Sequence, residues 1–337
     1  MMRVIHAPEN IAGQPATISR AQRKIGIKSD VLVFDKSRFD YDCDYNLRMN
    51  RWPKKFHILI RIVAFIICLT RYDLIHLHYR TFLLPGNADI RVAKLFGRKV
   101  VIEYWGSDIL QTDIARKYTL VDENALNAVY AGIDNEKKRR EISTVSRLVD
   151  RTIVGDYSLQ VYSPDSVVVR QAIDLSHFPY VGVRPHSGIV SVVHAPTQRD
   201  LKGTTHIIRV IEELKSEGYP ISFRLIENLP HQEAVSLYRS ADIVIDDILQ
   251  GPYGILAIEC MALGKPVLDY IDAAFIDQYP GLPVVNTRPE TLYKNLRYLL
   301  DTPAAREEIG RRGRKYVEEN HNSEIIAEKL VALYQSL

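Results

Sequence analysis

The chain has 337 residues, 46% hydrophobic and 25% charged, which is more than one comfortable core holds and fits two soluble domains of ordinary size. Its 44 basic and 41 acidic residues leave a net charge of only +3, which argues against nucleic acid as a partner. Cys43, Cys68 and Cys260 are odd in number and lack metal-ligand spacing, so neither a disulfide framework nor a metal site is indicated and the cytosol is the expected compartment.

The start, "MMRVIHAP", enters a strand with no charged-then-apolar leader, which argues against export. Short β-branched runs then alternate with helical patterns, the mark of βαβ units and a parallel sheet. In the first half the runs are "RVIHA", "DVLVF", "DLIHLH", "KVVIEY", "RTIVG" and "SVVVR". After the first of them, Gly13 precedes a helix start, where it would admit an acceptor or donor phosphate. The stretch "KKFHILIRIVAFIICLTR" is apolar from His57 to Leu69 apart from Arg61, short of the roughly 20 residues a membrane span needs. It reads as a buried core helix, with a basic-flanked helix on the inner membrane face as the alternative. The basic runs "KKRR" (Lys137 to Arg140) and "RRGRK" (Arg311 to Lys315) read as solvated helix faces.

Two prolines and two glycines interrupt all periodicity in "DLSHFPYVGVRPHSG" and place a linker at about Phe178 to Gly188. This divides the chain into domains at 1–180 and 188–320, with a helix over 321–337 crossing back to the first. The second half carries the strand runs "GIVSVVHA", "ISFRLI", "ADIVID", "KPVLDY" and "LPVVN". "VIHAP" and "VVHAP" are nearly the same strand ending, so each opens one of two matching sheets. Their histidines, His6 and His194, would face each other across an interdomain cleft, as packed strand-end side chains or as reacting groups. Three helices close the chain; Pro289 and Pro303 suit the first turns of two and Ser323 is placed to cap the third.

Ligands of open parallel sheets bind beyond the carboxyl ends of the strands. After "VVHAP" the loop "TQRDLKGTTH" offers Arg199 and Lys202 beside the start of a helix, a setting suited to phosphate. After "DIVID" comes "DILQGPYGILAIECMALGKPVLDY", where Gly254 and Ile255 open a helix that is apolar on all sides except for Glu259. A buried carboxylate needs donors: either Lys265 or a nearby arginine, or the hydroxyls of a ribose whose phosphates lie at the helix start.

Together with "HAPTQRDLKGT" and "AREEIGRRGRKYVEENHN", this run resembles the donor-binding lobe of glycosyltransferase family 4. "DLIHLH", "KVVIEYWGSDI" and "VVVRQAIDLSHF" resemble family segments as well, so the likeness covers most of the chain. The resemblance implies an α/β GT-B fold: two Rossmann-like domains facing across a cleft, with C-terminal helices packing back toward the first. It implies a retaining hexosyltransferase-like enzyme with no required metal or cofactor. The second domain would hold a UDP- or GDP-sugar as co-substrate, and the first a sugar, lipid-linked or other hydroxyl acceptor.

By position, Lys202 matches the family's diphosphate-binding lysine and Glu259 its ribose-binding glutamate. The partner arginine's place is taken by Thr197, with Arg199 as substitute. Gly251 replaces the glutamate that meets the donor sugar in relatives, and Trp105 stands where a histidine is common. Asp246 or Asp247 would then approach sugar hydroxyls, Tyr253 and Trp105 would pack on the ring, and His78 or Asp108 would face the acceptor. The loop around Glu227 and Asn228 would meet the base. Two alternatives stand beside transfer in surface polysaccharide, glycolipid or glycoconjugate synthesis: a non-catalytic sugar-nucleotide-binding protein, and an epimerase or phosphorylase on the same fold. A nicotinamide oxidoreductase is disfavoured because neither first strand leads into G-x-G-x-x-G.

Overall fold

The structure, a computed structural model, describes residues 2–37, 40–79, 83–183 and 188–337. Residues 184–187 of the expected linker lie outside that set. The chain forms two compact units: Met1–Gln111 with Asp134–Asp174 and Asn322–Leu337, and Thr112–Ile133 with Leu175–His321.

The first unit is built on a seven-stranded parallel sheet in the order β3-β2-β1-β4-β5-β6-β7. Its strands are β1 (Arg3–Ala7), β2 (Lys28–Val33), β3 (Tyr45–Asn46), β4 (Leu74–His78), β5 (Lys99–Tyr104), β6 (Arg151–Val154) and β7 (Val167–Val168). Between them run α1 (Gln14–Lys24), α2 (Lys54–Arg71) and α3 (Ala88–Leu95). The chain then leaves for α4 (Thr112–Ala115) and α5 (Glu123–Val129) and returns at α6 (Asn135–Ser146) and α7 (Tyr157–Gln160). Alternate strand residues feed opposite layers, because successive side chains point to opposite faces. Ile5, Ile75, Leu77 and Ile102 pack with Phe65, Leu69 and Ile90, whereas Val4, Leu74, Val101 and Ile153 pack with Ile18, Ile326 and Leu330. Covering both faces explains why the strands read as unbroken apolar runs.

The second unit holds a five-stranded parallel sheet in the order β12-β11-β10-β8-β9: β8 (Val190–His194), β9 (Ile221–Leu225), β10 (Ile243–Ile245), β11 (Val267–Asp269) and β12 (Val285–Asn286). Its helices are α8 (Arg199–Lys202), α9 (Thr204–Ser216), α10 (His231–Ser240), α11 (Ile255–Ala262), α12 (Pro289–Asp301) and α13 (Pro303–Asn320). Two glycines of α13 let α11 come very close: a Cβ on Gly310 would sit 2.0 Å from the Gly264 carbonyl oxygen, and one on Gly313 would lie 3.2 Å from Met261. The last helix, α14 (Ser323–Gln335), belongs to the first unit, where it packs along α1.

All eleven strands read from the sequence form, and the short β3 is added. Several expectations change. Residues 112–133 were read with the first domain, yet Val121 and Leu126 are buried with Ile248 and Leu249 of the second unit, and the Leu120 amide donates to the Leu249 carbonyl at 2.7 Å. Asn322, not Ser323, caps α14, its side chain accepting from the Glu324 amide at 3.1 Å. The basic runs are only partly solvated: Lys138 is buried and donates to the Asp108 carbonyl at 2.9 Å, and Arg314 reaches the carbonyls of Phe178 and Ala262. Finally, α2 is not a core helix. It buries Ala64, Phe65, Cys68 and Leu69 but leaves Ile58, Leu59, Val63, Ile66 and Ile67 between 42% and 56% exposed. No helix among the described residues is long and apolar enough to cross a membrane.

Candidate functional site

In the second unit the strand order turns back at β8, which pairs with β9 on one side and β10 on the other. The crevice beyond the carboxyl ends of β8 and β10 is therefore the place where this topology binds ligands. His194 ends β8 there. It is fully buried, its Nδ1 meets the Ile245 carbonyl oxygen at 2.8 Å, and its Nε2 meets the Thr204 hydroxyl at 2.9 Å. The carbonyl fixes the proton on Nδ1, so Nε2 accepts. Burial pushes this imidazole down to about 4. His194 is a neutral clamp joining β8, β10 and the start of α9, with both nitrogens committed.

Lys202 lies at the centre of the crevice. The turn that places it requires Gly203, whose φ of +76° is left-handed and whose Cβ would stand 2.5 Å from Ile248. The ammonium pairs with Asp246, which ends β10's run and is fully buried. Burial opposes the charge, but Asp246, Asp247 and Asp269 outweigh it and hold the lysine protonated well above its ordinary range. The other Asp246 oxygen accepts from the Ala257 amide, 3.2 Å away in the first turn of α11. One carboxylate thus ties the lysine to the amino end of α11.

The remaining acids have separate tasks. Asp247 accepts from the amides of Leu249 and Gln250, both at 2.9 Å, and from the Gln250 side chain at 2.6 Å, which shapes the following loop. Both it and Asp246 are buried, at 3% and 0% exposure, and face protein donors where contact with sugar hydroxyls was expected. Asp269, unremarked in the sequence, ends β11 beside this group. Burial and the two neighbouring aspartates drive its carboxyl well above the usual range.

Along α11, one turn beyond its start, Glu259 is 6% exposed and accepts from His231 Nε2 at 2.7 Å. Neither Lys265, which donates to the Gly182 carbonyl at 2.6 Å, nor an arginine supplies that bond. Burial raises the Glu259 carboxyl against the opposing effect of His231, and the hydrogen bond to Glu259 raises His231. His231 was not foreseen. It follows the 227–230 loop expected to meet a base, and so joins that loop to Glu259. Arg199 is exposed and bonds Glu227 at 2.9 and 2.5 Å, holding that carboxylate below its ordinary range. Thr197 and Asn228 are exposed, the latter at φ +56°.

The loop before α11 is closely packed. Gly251 has φ +101°, and a Cβ there would lie 2.6 Å from the Tyr118 carbonyl oxygen and 3.2 Å from Asp272. The 112–133 segment, expected in the first domain, therefore excludes a side chain at this position. Tyr253 is 1% exposed, and its hydroxyl turns inward to Tyr316 at 3.2 Å and His321 at 3.0 Å, so it braces the loop and does not pack on a sugar ring. Gly254 and Ile255 stay half-buried at the amino end of α11, where a Cβ on Gly254 would lie 3.7 Å from an Asp246 oxygen.

In the first unit the expected acceptor residues turn inward. The Gly13 turn is covered by Tyr41, whose ring would be 2.9 Å from a Cβ. Asp108 accepts from the amides of Trp105 and Gly106 at 3.0 and 2.8 Å, and burial lifts it to about 6 despite these bonds. His78 is fully buried, with its Nε2 2.9 Å from His6 Nδ1. Half-buried Trp105 points its indole N–H toward His78 Nδ1 at 3.4 Å. His76 and Glu103 complete this group, with His76 Nε2 3.3 Å from Glu103 Oε2. Burial lowers His6 and His76 to about 3 and raises Glu103 to about 8. The "HLH" spacing was the available signal, since residues i and i+2 of a strand share a face.

Residues 206–332, which include α11 and its flanks, match the family model described as glycosyl transferase-like. The D-inositol 3-phosphate glycosyltransferase of Corynebacterium urealyticum is 29% identical over 134 residues, covering 38% of this chain. The match spans only 31% of that relative's own length. Among solved structures, sucrose-phosphate synthase from Thermosynechococcus elongatus superposes with TM-score 0.68 at 18% identity, over 99% of this chain and 98% of its own. The fold is GT-B. Anabaena HepE in complex with UDP-glucose gives TM-score 0.63 at 12% identity over the full length of both chains.

Two outcomes follow from this geometry. Gly251→Glu does not restore the relatives' side chain; it costs about 2–4 kcal/mol of stability through the left-handed backbone and the clash with Tyr118, measured by urea unfolding. For the Glu259–His231 pair, both groups hold their protons more tightly folded than unfolded. The pair's contribution is therefore present at low pH and lost as the pH rises through the raised folded values. The stability advantage of the wild-type chain over Glu259→Gln shrinks between about pH 5.5 and pH 8.5, around the ordinary histidine value, and the His231 resonance titrates lower in the variant.

Proposed function

We propose that the chain is a glycosyltransferase that moves a sugar from a nucleoside-diphosphate sugar to a hydroxyl acceptor with retained configuration. The observation that carries this reading is the meeting of Lys202 and the amino end of α11 at the second sheet's switch point, with Glu259 about 6 Å further along the helix axis. A pyrophosphate at the helix start and a ribose at Glu259 and His231 match that spacing. The glycosyl transferase-like match over 206–332 and the UDP-glucose seen in HepE support it.

In the reaction the bond from the anomeric carbon to the diphosphate oxygen breaks while the acceptor oxygen bonds to the same face. The acceptor's proton passes to the departing diphosphate, so no strong side-chain base and no catalytic metal is needed. Negative charge grows on the leaving group, where Lys202 and the α11 amide dipoles oppose it. Arg199 adds a donor once it leaves Glu227. Gly251 lets the loop before α11 pack directly against Tyr118 and Asp272, and Asp247 shapes that loop through the Leu249 and Gln250 amides.

A panel of UDP- and GDP-sugars tested for thermal stabilisation identifies the donor. With that donor, nucleoside diphosphate is released only when an acceptor is present. Lys202→Ala lowers kcat/KM by about 10²-fold or more, and Glu259→Gln weakens donor binding. Unchanged binding and turnover in both variants would place the donor elsewhere. Release without an acceptor, accompanied by an altered sugar, would instead mark an epimerase.

We infer further that α2 seats the enzyme on an anionic, cytoplasmic membrane face. Leu59, Ile62, Val63 and Ile66 share one helix face at spacings of three and four and are all exposed. Exposed Arg51, Lys54 and Lys55 flank its start beside Trp52, which is 51% exposed, the pattern of a helix lying in a bilayer surface. A lipid-linked acceptor would be met at that surface. The protein cosediments with phosphatidylglycerol-containing vesicles but not with purely zwitterionic ones, and Ile62→Asp with Ile66→Asp abolishes the binding; equal sedimentation of this variant would refute the contact.

A further inference from the structure

At the first sheet's own switch point, β1 pairs with β2 on one side and β4 on the other, with His6 directly opposite His76. His6, His76 and His78 are each fully buried, and Glu103 of the neighbouring β5 is 2% exposed. One ligand-type nitrogen from each histidine lies within 4.8 Å of the others. The proposed transfer uses none of these four side chains. We propose that His6, His76, His78 and Glu103 form a structural site for one divalent transition-metal ion, with Zn2+ the best fit.

The donor set comes first. Three imidazoles and a carboxylate are borderline nitrogen and hard oxygen ligands, a set that suits Zn2+ and its neighbours and does not suit Ca2+ or Mg2+, which take oxygen. The spacing agrees. Bonds of about 2.0–2.1 Å at a tetrahedral angle put neighbouring ligand atoms about 3.3–3.4 Å apart. His6 Nδ1 and His78 Nε2 are 2.9 Å apart, and His76 Nε2 and Glu103 Oε2 are 3.3 Å apart. The remaining histidine nitrogens lie within 4.8 Å of one another, so ring rotations of up to about 1.4 Å bring the set to bonding distance.

Two outer contacts point the same way, whereas the long 3.4 Å bond from the Trp105 indole N–H to His78 Nδ1 has to give way when His78 Nε2 ligates. His6 donates from Nε2 to the Gln22 side-chain oxygen at 3.0 Å, which leaves its Nδ1 lone pair aimed at the centre. His76 Nδ1 meets the Tyr334 hydroxyl at 2.7 Å, which leaves Nε2 inward. Ligating histidines are characteristically oriented by such bonds on the far ring nitrogen. Most telling, His76 Nε2 and Glu103 Oε2 are both buried without a hydrogen-bond partner among the described residues. Buried polar atoms of this kind call for a further partner, and a cation satisfies both while offsetting the carboxylate's charge. A shell closed to solvent leaves no open position for a reacting water, so the ion's role is to fasten β1, β4 and β5 to α1 and α14 through Gln22 and Tyr334.

The test uses the full chain, purified, stripped with dipicolinate and titrated with ZnCl2 or CoCl2. The proposal expects about one ion retained per chain after gel filtration by elemental analysis, visible absorption bands of four-coordinate Co2+, and a melting temperature that rises with Zn2+. His76→Asn and Glu103→Gln, checked for folding by circular dichroism, bind at least about 10-fold more weakly. The proposal fails if stripped wild-type protein, reloaded with Zn2+ or Co2+, retains no stoichiometric ion after gel filtration, a result that needs no variant to fold. It fails equally if a folded variant binds as the wild type does.

Discussion

The second unit turns on a single buried carboxylate. Asp246 holds the Lys202 ammonium with one oxygen and the amino end of α11 with the other, so a cation and a helix dipole are fixed on one anchor. The anchor is stable because the positive charge has three aspartates around it, and burial beside the other two raises the Asp269 carboxyl well above its usual range. The rest of the crevice follows: β10 and α11 are fastened at their facing ends, the 247–251 loop is shaped by Asp247, and Glu259 is set one turn along.

Much of this was legible in the chain. The strands showed because a sheet covered on both faces demands continuous apolar runs, and the carboxyl ends of β8 and β10 were the right places to look. Glu259 stood out as the lone charge in a greasy helix. What the sequence could not yield was the partner of each polar group. His231 lies 28 residues from Glu259 in the chain, and no local rule links a helix's first residue to a later helix's acid. Asp246 looked like a ligand for a sugar because its lysine partner lies 44 residues away in the chain, and Asp247 because nothing marked it as the acceptor of the local turn at Leu249 and Gln250. In the first unit His78 and Asp108 were expected to face a substrate, but a strand residue's inward or outward direction is settled only when its layer is known.

The α2 helix and Gly251 show the same limit from opposite sides. An apolar run says only that water is unfavourable, and it does not say whether protein or something else covers it; α2 turns one apolar face to the core and leaves another bare. A glycine in place of a glutamate looks like a loss of chemistry. In the structure it is a steric requirement, because a loop from elsewhere in the chain occupies the space its side chain would need.

That loop has a consequence for how the molecule is assembled. The polypeptide passes between the two units at 111–112, 133–134, 174–175 and 321–322, so neither unit is a contiguous piece of the chain. A cut near residue 178 would deprive the first unit of the Tyr334 hydroxyl that meets His76, and the second of the Leu120 amide that meets Leu249. Each half thus carries a splint belonging to the other, and a ribosome must finish the final helix before the first sheet has all of its cover.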